Sequence, residues 1–141
     1  MSGKKINETA QHRCIGLCIE TRPDWCDEKI ANSFLDYGCT RVELGVQALD
    51  EKINERTQRG HGIAEVAGAT KLLKDSAFKV FYHWMVGLPG STPEKDLEMF
   101  KELWKNPNFR PDGLKIYPTL VIKETKLEKE FLRGEFVPYT N

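Results

Sequence analysis

The sequence has no long apolar segment and no excess of charge of either sign. Its longest apolar run, residues 80–86, is interrupted by His83 and falls far short of the roughly 20 residues that a membrane-spanning helix needs. Lys plus Arg number 21, and Asp plus Glu also number 21. These absences predict a protein without a membrane segment, and they argue against nucleic-acid binding through a generally basic surface.

The sequence also lacks a secretory signal, because residues 1–12 are polar and contain no apolar stretch. We interpret these residues as a polar N-terminal tail. The four cysteines are therefore expected to be reduced thiols in the cytoplasm. A chain of 141 residues is long enough for one domain but too short for a closed eightfold α/β barrel, which takes about 250 residues.

Four short β-like segments alternate with helix-like segments along the chain. The predicted strands are residues 13–20, 40–47, 78–85 and 113–119. The predicted helices are residues 27–37, 50–58, 63–76, a segment from the capping box at 91–94 to 106, and 126–132. This alternation predicts right-handed crossovers and a parallel sheet, and therefore an α/β fold with four β/α units.

The two faces of each predicted strand differ in polarity, because side chains alternate across a strand. One face is apolar and carries Ile15, Leu17, Ile19, Val42, Leu44, Val46, Val80, Tyr82, Trp84, Leu114 and Ile116. The other carries Glu20, Glu43, Gln47, His83, Lys115 and Tyr117. A polar face is expected either from plain exposure to water or from a ligand site at the carboxyl ends of the strands. Gly- and Pro-rich loops after the strands favour the ligand site.

Several motifs resemble radical S-adenosylmethionine (SAM) enzymes. GVQ at 45–47, an arginine at position 59 and GLPGST at 87–92 resemble the branch that includes oxygen-independent coproporphyrinogen oxidase. A closer resemblance, to the archaeal form of the Elongator catalytic subunit family, lies in IETRPD at 19–24, GCTRVELGVQ at 38–47, RGH at 59–61 and NPNFRPDGLKIYPTLVI at 106–122. It extends from about Gln11 to the end of the chain.

The resemblance implies a partial parallel (β/α) barrel. The four units then correspond to strands three to six of a radical SAM (β/α)₆ barrel, and residues 13–141 form the C-terminal part of that core domain. In this family a [4Fe-4S] cluster cleaves SAM to a 5′-deoxyadenosyl radical, and an attached domain uses acetyl-CoA. The family modifies the wobble uridine of tRNA, which implies tRNA as a partner.

Two residues at the strand ends are implied to contact SAM. Glu20 resembles an acid that contacts SAM in the oxidase branch, and a carboxylate there accepts hydrogen bonds from ribose hydroxyls. In the alternative, Glu20 pairs with Arg22 or Arg41. Gln47 resembles the SAM-contacting glutamine of GVQ, with a strand-end cap as the alternative.

Four more assignments follow from the resemblance. Arg59 falls at the spacing of an arginine that engages the SAM carboxylate, and its alternative is an exposed arginine at a helix end. His83 stands where the oxidase branch has aspartate, so it is either a cofactor contact or a buried, satisfied histidine. Lys115 and Tyr117 are candidate catalytic residues, and a desolvated lysine has a lowered pKa suited to acid–base work. The alternative is that Lys115 pairs with Glu43.

The clustered cysteines of a radical SAM site are absent. Such a cluster needs three thiolates at close spacing. Cys14 and Cys18 imitate part of a C-x₃-C-x₂-C motif, but Thr21 stands at the third position. Cys26 and Cys39 flank a predicted helix at unrelated spacing. We therefore assign no metal ligand, and we expect the cluster ligands and the acetyl-CoA domain to lie outside this chain.

The sequence thus predicts a fragment of an Elongator-like tRNA-modifying enzyme that carries part of a SAM pocket and is inactive alone. Its expected partners are tRNA, the N-terminal half of the barrel, the acetyltransferase domain, and second copies that bind through exposed sheet edges. The alternatives are a non-enzymatic SAM- or RNA-binding module, or a fragment of a coproporphyrinogen oxidase-like radical SAM enzyme.

Overall fold

A computed structural model of the chain describes residues 3–139. Its strands are β1 (Cys18–Thr21), β2 (Arg41–Gln47), β3 (Lys79–Val86) and β4 (Gly113–Pro118). Its helices are α1 (Gly3–Thr9), α2 (Glu28–Tyr37), α3 (Glu51–Arg56), α4 (Ile63–Asp75), α5 (Pro93–Lys105) and α6 (Lys126–Leu132), and a 3-10 turn covers Pro23–Trp25. The helices α2 to α6 lie where the sequence predicts them.

The strands form one parallel sheet in the order β1-β2-β3-β4. The register places Glu20 opposite Glu43, and it places His83 opposite Lys115. Because the strands run the same way, their carboxyl ends meet at one edge. The predicted α/β fold with four β/α units is therefore confirmed.

The core lies between the apolar sheet face and helices α2, α4 and α5. Six strand residues on that face are at most 1% exposed, namely Val42, Leu44, Val46, Val80, Tyr82 and Trp84. Side-chain oxygens of Asp27, Asp50, Thr92 and Thr125 accept hydrogen bonds from backbone amides at the starts of α2, α3, α5 and α6. These N-caps fix where four helices begin. No helix within residues 3–139 has the length and apolar character needed to cross a membrane.

The amino-terminal region differs from the predicted tail. Gly3–Thr9 form α1, while residues 1 and 2 lie outside the described residues. The side chain of Asn7 donates to the Cys14 carbonyl and accepts from the Cys14 amide, both at 2.8 Å. The prediction missed α1 because a polar contact, and not an apolar stripe, holds this segment.

The first strand is shorter than predicted, and the residues before it are not packed in the core. Cys18 is the first residue that pairs with β2, opposite Arg41. Residues 13–17 therefore form no strand, and Ile15 is 97% exposed. The predicted placement of Ile15 on a covered face is wrong for this reason.

The outer face of β4 is also uncovered, contrary to the predicted pattern. Ile116 is 54% exposed, because α6 buries none of its residues against the sheet. Within the described residues, β1 and β4 each pair with a single neighbour. The sheet thus has two open edges with apolar side chains beside them.

We predict that the isolated chain self-associates through these edges, because unpaired strand edges template further pairing. Sedimentation velocity at increasing concentration is expected to show dimers or larger species. A double variant with Ile15→Lys and Ile116→Lys should shift the distribution towards monomer. A monomer at all concentrations in the unchanged chain would contradict this prediction.

Candidate cofactor site

Glu43 on β2 is the centre of a charged cluster on the polar face of the sheet, and it is only 2% exposed. Its Oε2 accepts hydrogen bonds from His83 Nε2 at 2.8 Å and from Lys115 Nζ. Its Oε1 lies 3.3 Å from Cys18 Sγ and 3.3 Å from Arg41 Nη2. Four parallel strands thus surround one buried carboxylate with donors.

The protonation of this cluster follows from its hydrogen bonds. Burial alone raises the pKa of Glu43, but hydrogen bonds from Lys115, His83 and Cys18 outweigh burial and lower that pKa to about 2. The hydrogen bond to Glu43 raises the pKa of Lys115. The expectation of a lysine with a lowered pKa is therefore wrong, since Lys115 pairs with Glu43 and remains a cation.

The predicted residues Glu20, His83 and Tyr117 lie together beside Glu43. His83 Nδ1 is 3.3 Å from Glu20 Oε1, and the His83 and Tyr117 rings pack edge-to-face with centroids 5.6 Å apart. The side chain of Glu20 is 65% exposed, whereas that of His83 is 9% exposed. Glu20 therefore presents a carboxylate to solvent at the carboxyl end of β1, and His83 is held from both sides.

The arginines given as alternative partners of Glu20 bind other acids. Arg22 pairs with Asp24 at 2.6 Å, and Arg41 pairs with the acid at the centre of the cluster. The guanidinium carbon of Arg41, the first residue of β2, also lies 4.9 Å from the centroid of the Phe81 ring. Neither arginine neutralises Glu20 in the described structure.

The ligand atoms of Glu20, Glu43 and His83 lie within 4.8 Å of one another, and these residue types are ones that metal ions use. Glu43 is already neutralised by its ion pair with Lys115. A metal ion here would have to displace the lysine, so we assign none.

Gln47 and Arg59 meet at the carboxyl end of β2. Arg59 Nη2 donates to the Gly45 carbonyl at 2.8 Å. A Cβ on Gly45 would lie 3.1 Å from this Nη2, so a side chain at this position would push the guanidinium away by a few tenths of an ångström. It would lie 3.6 Å from Gln47 Nε2, which is an ordinary contact. Arg59 is half-buried and not an exposed helix-end residue, and burial lowers its pKa.

Two polar atoms of this pair are left without partners. Gln47 Oε1 and Arg59 Nε are buried and have no hydrogen-bond partner within residues 3–139. Buried polar atoms are normally satisfied, so each of these calls for an explanation. Gln47 Oε1 therefore does not cap the strand end, because it accepts no hydrogen bond from the described residues.

Sequence reasoning missed His61, which it quoted only as part of the RGH string. His61 Nε2 lies 3.1 Å from the Gly45 carbonyl, and the residue is only 7% exposed. The signal available in the sequence was its place two residues after Arg59, on the loop that returns to the end of β2.

Asp96 organises the loop after β3. Its carboxylate accepts hydrogen bonds from Gly87 N at 2.8 Å, Ser91 Oγ at 2.5 Å and Tyr139 Oη at 2.9 Å. Burial, followed by the hydrogen bond to Asp96, raises the pKa of Tyr139 to about 12. One buried acid therefore ties the GLPG loop, α5 and the C-terminal segment together.

Replacing Asp96 with alanine is expected to destabilise the fold by about 2–3 kcal/mol, because it strands a buried amide and two hydroxyls. Urea unfolding at pH 7 measures this loss. Asp96→Asn, which keeps one acceptor oxygen, should retain part of the stability. A loss below about 0.5 kcal/mol for alanine would show that the loop does not depend on this carboxylate.

Two of the four cysteines are poorly suited to bind iron as thiolates. Cys39 is buried, and burial raises the pKa of Cys39. Burial and the nearby Asp27 raise the pKa of Cys26 to about 11. Raised thiol pKa values oppose metal ligation. That leaves the two exposed cysteines, Cys14 and Cys18, which are fewer than the three thiolates that a radical SAM cluster needs.

Comparison with known proteins decides the family. Residues 3–103, more than half of the chain, match the Radical SAM superfamily, and residues 111–141 match the Radical SAM C-terminal domain. The chain belongs to the radical SAM superfamily. Its four units are part of a radical SAM barrel, as predicted.

The similar curated proteins are much longer than this radical SAM chain. It is 55% identical over 138 residues to a tRNA uridine(34) acetyltransferase of Dehalococcoides mccartyi, covering 98% of the chain and 30% of that protein. It is 46% identical over 136 residues to human Elongator complex protein 3, covering 96% of the chain and 25% of that protein. The chain therefore matches a fragment of these enzymes.

Solved structures agree with this placement. The archaeal Elp3 of Methanocaldococcus infernus superposes with a TM-score of 0.92 at 57% identity, covering 96% of the chain and 32% of that structure. Coproporphyrinogen III oxidase from Escherichia coli superposes with a TM-score of 0.67 at 18% identity, covering 76% of the chain and 24% of that structure. The second match shows the shared fold alone.

The radical SAM superfamily uses SAM and a [4Fe-4S] cluster, and the residues at the strand ends fit SAM. Glu20 offers an exposed carboxylate, and Gln47 and Arg59 carry buried polar atoms without protein partners. A carboxylate, an amide and a guanidinium suit a ligand that has hydroxyls, an amine and a carboxylate of its own.

Proposed function

We propose that this chain forms part of the SAM pocket of an enzyme that modifies uridine in tRNA. The observation that carries the proposal is the pair of unsatisfied buried atoms on Gln47 and Arg59, in a chain 55% identical to a tRNA uridine(34) acetyltransferase. Buried polar atoms usually find partners within the protein, and here two such atoms lie together at the carboxyl end of a strand, where parallel α/β folds bind ligands. We expect the protein to act in the cytoplasm.

Three residues hold SAM in this proposal. Glu20 accepts hydrogen bonds from its ribose hydroxyls, Arg59 pairs with its carboxylate, and Gln47 donates and accepts through its amide. When bound with a cluster, SAM supplies an organic radical. The cluster ligands, and the domain that uses acetyl-CoA, belong to other parts of the enzyme.

The Glu43 cluster supports the floor of this pocket. Glu43 is ionised, and it holds Lys115 as a fixed cation and His83 as a fixed donor. We therefore propose that Lys115 binds a substrate oxygen as a cationic donor and does not remove protons. Tyr117 is 42% exposed beside His83, and its ring suits stacking against a base.

A chimera tests the proposed function. This chain replaces the matching segment of the M. infernus acetyltransferase, to which it is 57% identical over 136 residues. After anaerobic loading with iron and sulfide, the chimera is expected to consume SAM and to modify uridine in tRNA, as followed by mass spectrometry. Lys115→Met and Tyr117→Ala should reduce uridine modification while SAM affinity stays unchanged.

Two outcomes would overturn the proposal. A folded, cluster-loaded chimera that does not bind SAM would refute the SAM pocket. The non-enzymatic binding module would be favoured by a different set of results. In that case the isolated chain binds SAM and binds tRNA in a salt-sensitive way, but the chimera does not modify uridine. Lys71→Ala is the matched control for the substitution itself, because Lys71 is exposed and pairs with Asp75, away from Glu43, Gln47 and Arg59.

A further inference from the structure

Gln47 occupies a strained backbone turn. Its φ is +68°, in the left-handed region that residues other than glycine avoid. The amide of Ala48 donates to the Val46 carbonyl at 2.9 Å, which closes a three-residue turn around Gln47. A turn of this kind with positive φ at its centre is rare and strained, and such strain persists only where neighbouring groups enforce it.

A bulge in β2 leads into this turn. Leu44 pairs with Tyr82 and Gln47 pairs with Trp84, so two residues of β2 oppose the single residue His83. Bulges of this kind re-aim a side chain at the end of a strand. Here the bulged residues are Gly45 and Val46, and Gln47, the residue proposed to contact SAM, follows directly.

The Gly45 carbonyl is the point at which the bulge is held. It accepts Arg59 Nη2 at 2.8 Å and His61 Nε2 at 3.1 Å. A carbonyl oxygen only accepts, so His61 carries its proton on Nε2. Its buried Nδ1 has no partner among the described residues, so the hydrogen bond from Nε2 is what orients the ring.

We propose that His61 is a positioning residue, which fixes the bulge at Gly45 and thereby holds Gln47 in its strained turn. Arg59 has a second task in the proposed pocket, where its guanidinium meets the ligand. His61 is buried, and within residues 3–139 its ring hydrogen bonds only to the Gly45 carbonyl. The consequence for SAM binding rests on the proposed function, whereas the backbone effect does not.

The test measures the turn in the 141-residue chain. His61→Phe removes the donor, whereas His61→Gln keeps an amide donor near the position of Nε2. Hydrogen exchange by NMR is expected to show the Ala48 amide exchanging about tenfold faster in the Phe variant, with exchange at the core amides of Leu44 and Val80 unchanged. The Gln variant should restore the slow exchange of Ala48.

Unchanged exchange at Ala48 in the Phe variant would overturn the inference. Equal acceleration at Ala48 and at the core amides would also overturn it, because that result means only general destabilisation. In the chimera, SAM affinity should fall about tenfold for Phe and recover for Gln. If the parent chimera bound no SAM, the proposed function would fail, while the exchange data would still decide the role of His61.

Discussion

Replacing Glu43 with glutamine is expected to lower the free energy of unfolding at pH 7 by about 3 kcal/mol. The substitution keeps the shape of the side chain but removes the charge that Lys115, His83 and Arg41 surround. Those donors would then face a neutral amide in a site where Glu43 is 2% exposed. Removing one partner of a buried charged cluster is costly because the others stay uncompensated.

The loss should depend on pH in a defined direction. The pKa of Glu43 is about 2 in the folded protein, against an ordinary value of 4.5. A lowered folded pKa gives stability that is complete above the unfolded pKa and is lost as the pH falls through the folded pKa. The difference between the protein and Glu43→Gln should therefore be largest above pH 4.5 and shrink towards pH 2.

Urea unfolding at several pH values measures this difference. Glu98→Gln is the matched control, because Glu98 is exposed on α5 and should give no such pH dependence. A double-mutant cycle with Lys115→Met isolates the pair energy. A stability difference that does not change between pH 7 and pH 3 would contradict the ionised state of Glu43.

The second large effect is on cofactor affinity. Arg59→Ala in the chimera is expected to weaken SAM binding by about 100-fold, because a half-buried guanidinium makes a strong, directional pair with a carboxylate. Arg59→Lys should recover little of the affinity, since an ammonium does not reproduce the planar fork that also reaches Gly45.

Arg56→Ala is the matched control for this substitution. Arg56 lies on α3 close by in sequence, but its partner is Glu130, at 3.6 Å, outside the proposed pocket. Its removal should leave SAM affinity unchanged, because the lost ion pair lies outside the pocket and exposed ion pairs contribute little energy. Equal affinity losses for Arg56→Ala and Arg59→Ala would indicate a general effect of lost positive charge.

The periodicity of the sequence predicts the central fold well. The predicted apolar face of β2 and β3 is correct, since its residues Val42 and Val80 are fully buried. The prediction fails at the edges of the sheet, at Ile15 and Ile116. Alternation shows which residues share a face, but it does not show whether a neighbouring element covers that face.

The site was predicted less completely than the fold. The resemblance named Gln47 and Arg59, which do meet at the end of β2. The pairing of Glu43 with Lys115 was predicted as an alternative, and the structure confirms it. The contacts of Glu43 with Cys18, Arg41 and His83 were not predicted, because they depend on the register of the strands. The role of His61 was not predicted, because its ring contacts the backbone carbonyl of Gly45. A sequence pattern indicates which side chains share a face, but it does not indicate contacts with the backbone.

The most direct test of the SAM pocket is an NMR titration of the 141-residue chain with SAM. The account predicts saturable shifts of backbone amides confined to Glu20, Gly45, Gln47 and the loop 59–61, with their loss in Arg59→Ala. Affinity in the millimolar range would suffice, since only part of the pocket is present. Saturable shifts at the opposite ends of the strands, around Arg41 and Lys79, or identical shifts in Arg59→Ala, would contradict it.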